Sequence, residues 1–132
     1  MDVSRIFSII AWIAIPTVMY GGFALLGLLT KGGLSEFQQT YFRAGHAHAG
    51  VLLLMALLYH SYLGRTNLPP GLKLLGAAVV MVGILAQSGG FFVHMLIGKP
   101  GEPSLGTTIT SLGAGLLVAA ILLLVYGLIT AK

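Results

Sequence analysis

Three histidines, His46, His48 and His94, stand at the ends of two long apolar stretches, where an ionisable side chain is costly enough to mark a functional site. The first two lie in Arg43-Ala44-Gly45-His46-Ala47-His48-Ala49-Gly50 and the third in Gln87-Ser88-Gly89-Gly90-Phe91-Phe92-Val93-His94-Met95. Imidazole ligates copper or zinc, ligates haem iron from facing helices, and moves a proton near neutral pH. His46, His48 and His94 are therefore the candidate metal ligands. With Gln87 they form the candidate cofactor-binding set, for copper, zinc or haem b. Without a cofactor, His48 and His94 are the candidate acid–base groups and Arg43 a guanidinium able to hold an anion or carboxylate. Simple anchoring of helix ends at the headgroups is the alternative that involves no chemistry.

The elements that position these side chains are apolar spans. Residues 6–30, 44–64, 74–98 and 103–131 contain no Asp, Glu, Lys or Arg. Each exceeds the roughly 20 helical residues needed to cross a hydrocarbon core. The pattern predicts an all-α, four-transmembrane-helix bundle in one domain, 1–132, with spans at about 6–30, 44–64, 72–98 and 104–131. An even number of spans puts both termini and the 65–73 loop on one side, and the 31–43 and 99–102 loops on the other. Arg5, Arg65, Lys73 and Lys132 lie on the first side against Lys31, Arg43 and Lys99 on the second, so the Lys and Arg excess makes the termini cytoplasmic. His46, His48 and His94 then gather near the outward face.

Helical geometry limits how they cooperate. His46 and His48 are two residues apart and point about 200° away from each other. One of them is expected to face the bundle and meet His94, the other to face a loop, the interface or a second subunit. Gln87 and His94, seven residues apart beside Gly83 and Gly90, form a stripe expected to line a cavity. The fourteen-residue interval from His46 to His60 resembles the spacing with which respiratory cytochrome b helices hold two haems. Tyr59, Tyr62 and Tyr126 fit a cytoplasmic aromatic belt. Gly113, Gly115 and Ala119 offer a flat face for self-association, with Gly22 as a rival.

Composition removes other classes. With 57% hydrophobic and 8% charged residues, the chain is an integral membrane protein whose first partner is the lipid bilayer. It has no cysteine, which excludes disulfides, thiolate chemistry and iron–sulfur clusters. The net charge of +4 comes from scattered single residues, so no nucleic acid partner is expected. The first apolar run is a full span without a small-residue cleavage site, unlike a removable signal. No span carries an acidic residue for an ion relay, which disfavours a channel or transporter. The partners that fit are a second copy of the chain in a homo-oligomer, a small lipophilic ligand, or a larger membrane complex in which the chain is an accessory subunit.

A short four-span chain, His46-Ala47-His48-Ala49 opening the second span, and Gly98-Lys99-Pro100 between the third and fourth together resemble the bacterial hydroxylaminobenzene mutases. The likeness covers the topology and these two short motifs. It implies a bacterial cytoplasmic membrane and a metal-free isomerisation of a lipophilic aryl hydroxylamine to an aminophenol.

Overall fold

A computed structural model describes residues 2–131, so Lys132 of the charge count lies outside the described residues. Four helices follow one another: α1 (Val3–Thr30), α2 (Glu36–Leu63), α3 (Pro70–Ile97) and α4 (Leu105–Ile129). All four are long and apolar enough to cross a membrane. The chain is an all-α integral membrane bundle.

Local chemistry sets the helix ends. Gly32 takes a positive φ of 65°, and Gly33 N–H donates to the Leu28 carbonyl at 3.0 Å, a glycine stop for α1. Five residues separate α1 from α2, which begins roughly two turns before the charge-free stretch that starts at residue 44. The cause is a capping box. Ser35 Oγ accepts from Gln38 N–H at 3.2 Å while Ser35 N–H donates to Gln38 Oε1 at 3.0 Å. The polar run from Glu36 to Arg43 is therefore helix, and it carries Phe37 and Tyr41 toward the histidines. Pro70 opens α3, where its missing N–H costs nothing. Ser104 caps α4 with a second box, to Thr107.

Helices α3 and α4 make the most extensive contact in the molecule. Gly76, Gly83 and Gly90 recur every seven residues on α3, and Gly106, Gly113, Ala120 and Gly127 every seven on α4, all of them buried. A Cβ at Gly106 would stand against the His94 and Gly90 backbone, and one at Gly113 against the Gln87 backbone. Lipid supplies no hydrophobic force between helices, so close backbone packing of this kind takes its place. The Gln87–His94 stripe thus faces α4 and lines no cavity. A cavity there would require α4 to stand off by a side chain's width.

Tyr59 ties α2 to α4. Its hydroxyl passes over Gly76 and donates to the Ala120 carbonyl at 3.1 Å, and its ring is 3 % exposed. It is a core residue, whereas Tyr62 and Tyr126 are exposed as a belt requires, Tyr62 beneath the Arg65 guanidinium at 4.9 Å. The α1 helix is the loosest member. It packs on α2 and less on α3, and among the described residues it does not touch α4. Only Ser4, Ala11 and Leu25 of α1 are buried.

Candidate functional site

His46 stands in one seam of the bundle, His48 and His94 in another. His46 faces α1. A Cβ at Gly22 would lie 3.0 Å from its Nε2, and one at Gly21 would lie 3.6 Å from its Nδ1, so the glycine pair makes room for the imidazole. Beside it a groove of about 380 Å³ runs between α1 and α2, walled by Ile15, Val18, Met19, Gly50 and Leu54. The imidazole is the groove's one ionisable group. The volume suits a small molecule and the walls suit an apolar one.

His48 points to the α3 side, where its ring lies 4.7 Å from that of Phe91. Its Nδ1 is 2.8 Å from the Ala44 carbonyl oxygen. Because a carbonyl only accepts, Nδ1 is the donor in this contact.

His94 is enclosed, at 2 % exposure, by α2 and the start of α4. Its ring packs edge-on against Tyr41 at 4.3 Å and Phe37 at 5.3 Å. Its Nδ1 lies 2.7 Å from Ser104 Oγ, the same oxygen that accepts Gly106 N–H at 3.0 Å. One side chain therefore caps α4 and holds the imidazole that ends α3. Gly98 leaves the space the ring fills, since a Cβ there would meet it.

Phe91 and Tyr41 bridge the two inward histidines, with ring centroids 6.4 Å apart. The seam thus reads His48, Phe91, Tyr41, His94. Phe37, Tyr41 and Ser104 were not among the candidates from sequence. The signal for the first two was the Ser35–Gln38 box, which puts Phe37, Tyr41, Ala44 and His48 on one helical face. Ser104 could be found only once α4 was placed against α3.

The remaining candidates lie apart. Arg43 is exposed on α2. Gln87 sits at the α3–α4 contact, its backbone carbonyl accepting from Thr110 Oγ1 at 3.3 Å. His60 is fully buried, with its ring 5.6 Å from both Phe7 and Tyr59, and neither ring nitrogen has a partner among the described residues.

These placements test the cofactors expected from sequence. Among the described residues no group of three or more His, Cys, Asp or Glu side chains stands together as a metal site. His46 faces α1, and the Phe91 and Tyr41 rings stand between His48 and His94, so the three imidazoles do not converge on one point. A pair of haems along α2 does not fit either, because His60 is closed off by Phe7 and Tyr59. What the arrangement offers is His46 on an apolar groove of about 380 Å³, and His48 and His94 in an aromatic seam, with His48 also edging a smaller apolar groove of about 190 Å³. Compared with protein-family models, curated proteins and solved structures, the chain matches none.

Proposed function

We propose that this membrane protein binds a small lipophilic molecule in the α1–α2 groove and that His46 exchanges protons with it, as a metal-free isomerase. The observation that carries this is the lone imidazole on an apolar groove of about 380 Å³, seated against Gly21 and Gly22. The catalytic part falls to His46 in place of the expected His48, His94 and Arg43. Two of those are fixed in the aromatic seam, and Arg43 is exposed.

The chemistry that suits one proton carrier and no cofactor is an internal rearrangement. In an aryl hydroxylamine the N–O bond breaks, a C–O bond forms at a ring carbon, and the proton displaced from that carbon is made good at nitrogen. Atoms and electrons balance without a co-reactant. An imidazole can take the first proton and return one, and such transfer contributes about 10²- to 10⁴-fold in rate. The outward face is taken as the histidine side, with both termini cytoplasmic, and the chain as a homo-oligomer.

The test is conversion of phenylhydroxylamine to aminophenol by proteoliposomes, followed chromatographically. His46→Ala should lower the rate by about 10²-fold or more while His48→Ala and Arg43→Ala lower it far less. Absence of conversion by the parent protein, or an unchanged rate in His46→Ala, would refute the proposal.

A further inference from the structure

A second cavity, of about 420 Å³, lies on the other side of the α1–α2 seam. Ala14, Thr17 and Val18 of α1, Ala49 and Leu53 of α2, and Ser88 of α3 contribute to its wall. These residues fall near the middle of their helices, so the cavity sits near the centre of the hydrocarbon core. Val18 also lines the His46 groove, which makes the two spaces back to back.

The polar groups on this wall are two hydroxyls, and they differ. Thr17 Oγ1 is committed to the Ala14 carbonyl at 2.6 Å. Ser88 is 5 % exposed, and its Oγ, covered by its surroundings, has no hydrogen-bond partner among the described residues, so a guest meets it as the hydroxyl turns about χ1 toward the open space. At this depth water does not stand in freely, so an unmatched hydroxyl is a standing penalty that a guest can remove. No ionisable side chain lines the cavity, so the guest is neutral. Met81 and Phe92 give it soft and aromatic walls that suit a flat ring. Ile10 and Leu85, 45 % and 72 % exposed, flank a mouth between α1 and α3 that faces lipid.

We propose that this midplane cavity is a second binding site, for a flat, neutral, lipophilic molecule whose carbonyl-type oxygen accepts a hydrogen bond from Ser88 Oγ. The guest enters sideways from the bilayer. This site is independent of proton transfer at His46.

The experiment measures 1,4-naphthoquinone and naphthalene binding to the protein in nanodiscs by equilibrium dialysis against empty nanodiscs. Naphthoquinone should bind saturably, one per chain. Ser88→Ala should weaken it about two- to tenfold, the worth of one neutral hydrogen bond, and leave naphthalene unchanged. Gly89→Leu should abolish binding of both, because Gly89 lines the cavity and a Cβ there meets nothing within 4 Å, so the larger side chain folds into the space. Thermal unfolding confirms that both variants are folded. His46→Ala should leave naphthoquinone binding intact even if it ends isomerase activity. Binding no better than to empty discs would overturn the proposal and make the cavity a place for lipid chains. Equal affinity in Ser88→Ala would also overturn it, and loss in His46→Ala instead would move the guest to the α1–α2 groove.

Discussion

Gly76→Ala should destabilise the bundle chiefly through one atom, the hydroxyl of Tyr59. A Cβ at Gly76 would stand 2.6 Å from that oxygen but 3.7 Å from the ring carbon that bears it. The hydroxyl must move, and its 3.1 Å bond to the Ala120 carbonyl goes with it. Losing that bond costs about 1 kcal/mol, crowding adds about 1–2 kcal/mol, and alanine's better helix propensity returns about 0.5–1 kcal/mol. The single change should therefore cost about 1–2 kcal/mol, and Tyr59→Phe alone about 1 kcal/mol. In the Tyr59→Phe background the hydroxyl is gone, the ring contact is ordinary, and Leu123 Cδ2 at 3.1 Å, the end of a flexible side chain, has only to give by a few tenths of an ångström. Gly76→Ala should there be neutral or stabilising by up to about 1 kcal/mol, a coupling of about 2 kcal/mol between the two positions. Reversible unfolding of the four proteins in mixed micelles measures the cycle. If Gly76→Ala costs the same in both backgrounds, the path of Tyr59 over Gly76 is not what holds α2 to α4.

Two further outcomes follow from exposure. In this cysteine-free chain, Gly33→Cys and Glu102→Cys should react with an impermeant thiol reagent added outside intact cells and Asn67→Cys should not, and the reverse pattern would invert the topology. Asn67 serves where neighbouring Thr66 would not, because Thr66 is 3 % exposed and silent from either side. Gly115→Leu should weaken a homo-oligomer seen by size-exclusion mass analysis, since Ser111, Gly115 and Ala119 are exposed on one face of α4. An unchanged mass would move the interface off α4.

The four spans were legible because hydrophobic length is a one-dimensional property, and three helix starts or stops were legible in Gly32, Pro70 and Ser104. The start of α2 was not, because Glu36, Gln38, Gln39 and Arg43 end the apolar run while Ser35 and Gln38 still cap a helix. Hydropathy and hydrogen bonding gave different answers there, and the hydrogen bonds set the boundary. The opposed directions of His46 and His48 followed from helical geometry alone. Which of them met α1 did not, because that depends on Gly21 and Gly22 lying across from His46. Gly113 and Gly115 show the same limit. Both looked like one flat face, yet two residues of separation turns Gly113 onto Gln87 and leaves Gly115 open. The seven-residue spacing of small residues in α3 and α4 was visible in the chain and identifies the buried member.

The unequal packing of the helices also explains where the cavities are. Glycines spaced by seven let α3 and α4 close to backbone contact at Gly90, Gly106 and Gly113, and the groove left between them, about 240 Å³ beside Leu72, Val79 and Leu123, is smaller than either space beside α1. The α1 helix has no such repeat and does not reach α4 among the described residues, so it lies on α2 and α3 with gaps on either side of their contact. Both the His46 groove and the Ser88 cavity are gaps beside α1. A helix held by few buried side chains can also tilt at low cost, whereas α3 and α4 cannot part without losing their closest contacts. Access from lipid to either site therefore depends on α1, and Gly50→Leu, at a position that lines the His46 groove and not the Ser88 cavity, should fill the first beside Val18 and lower isomerase activity while leaving naphthoquinone binding in place.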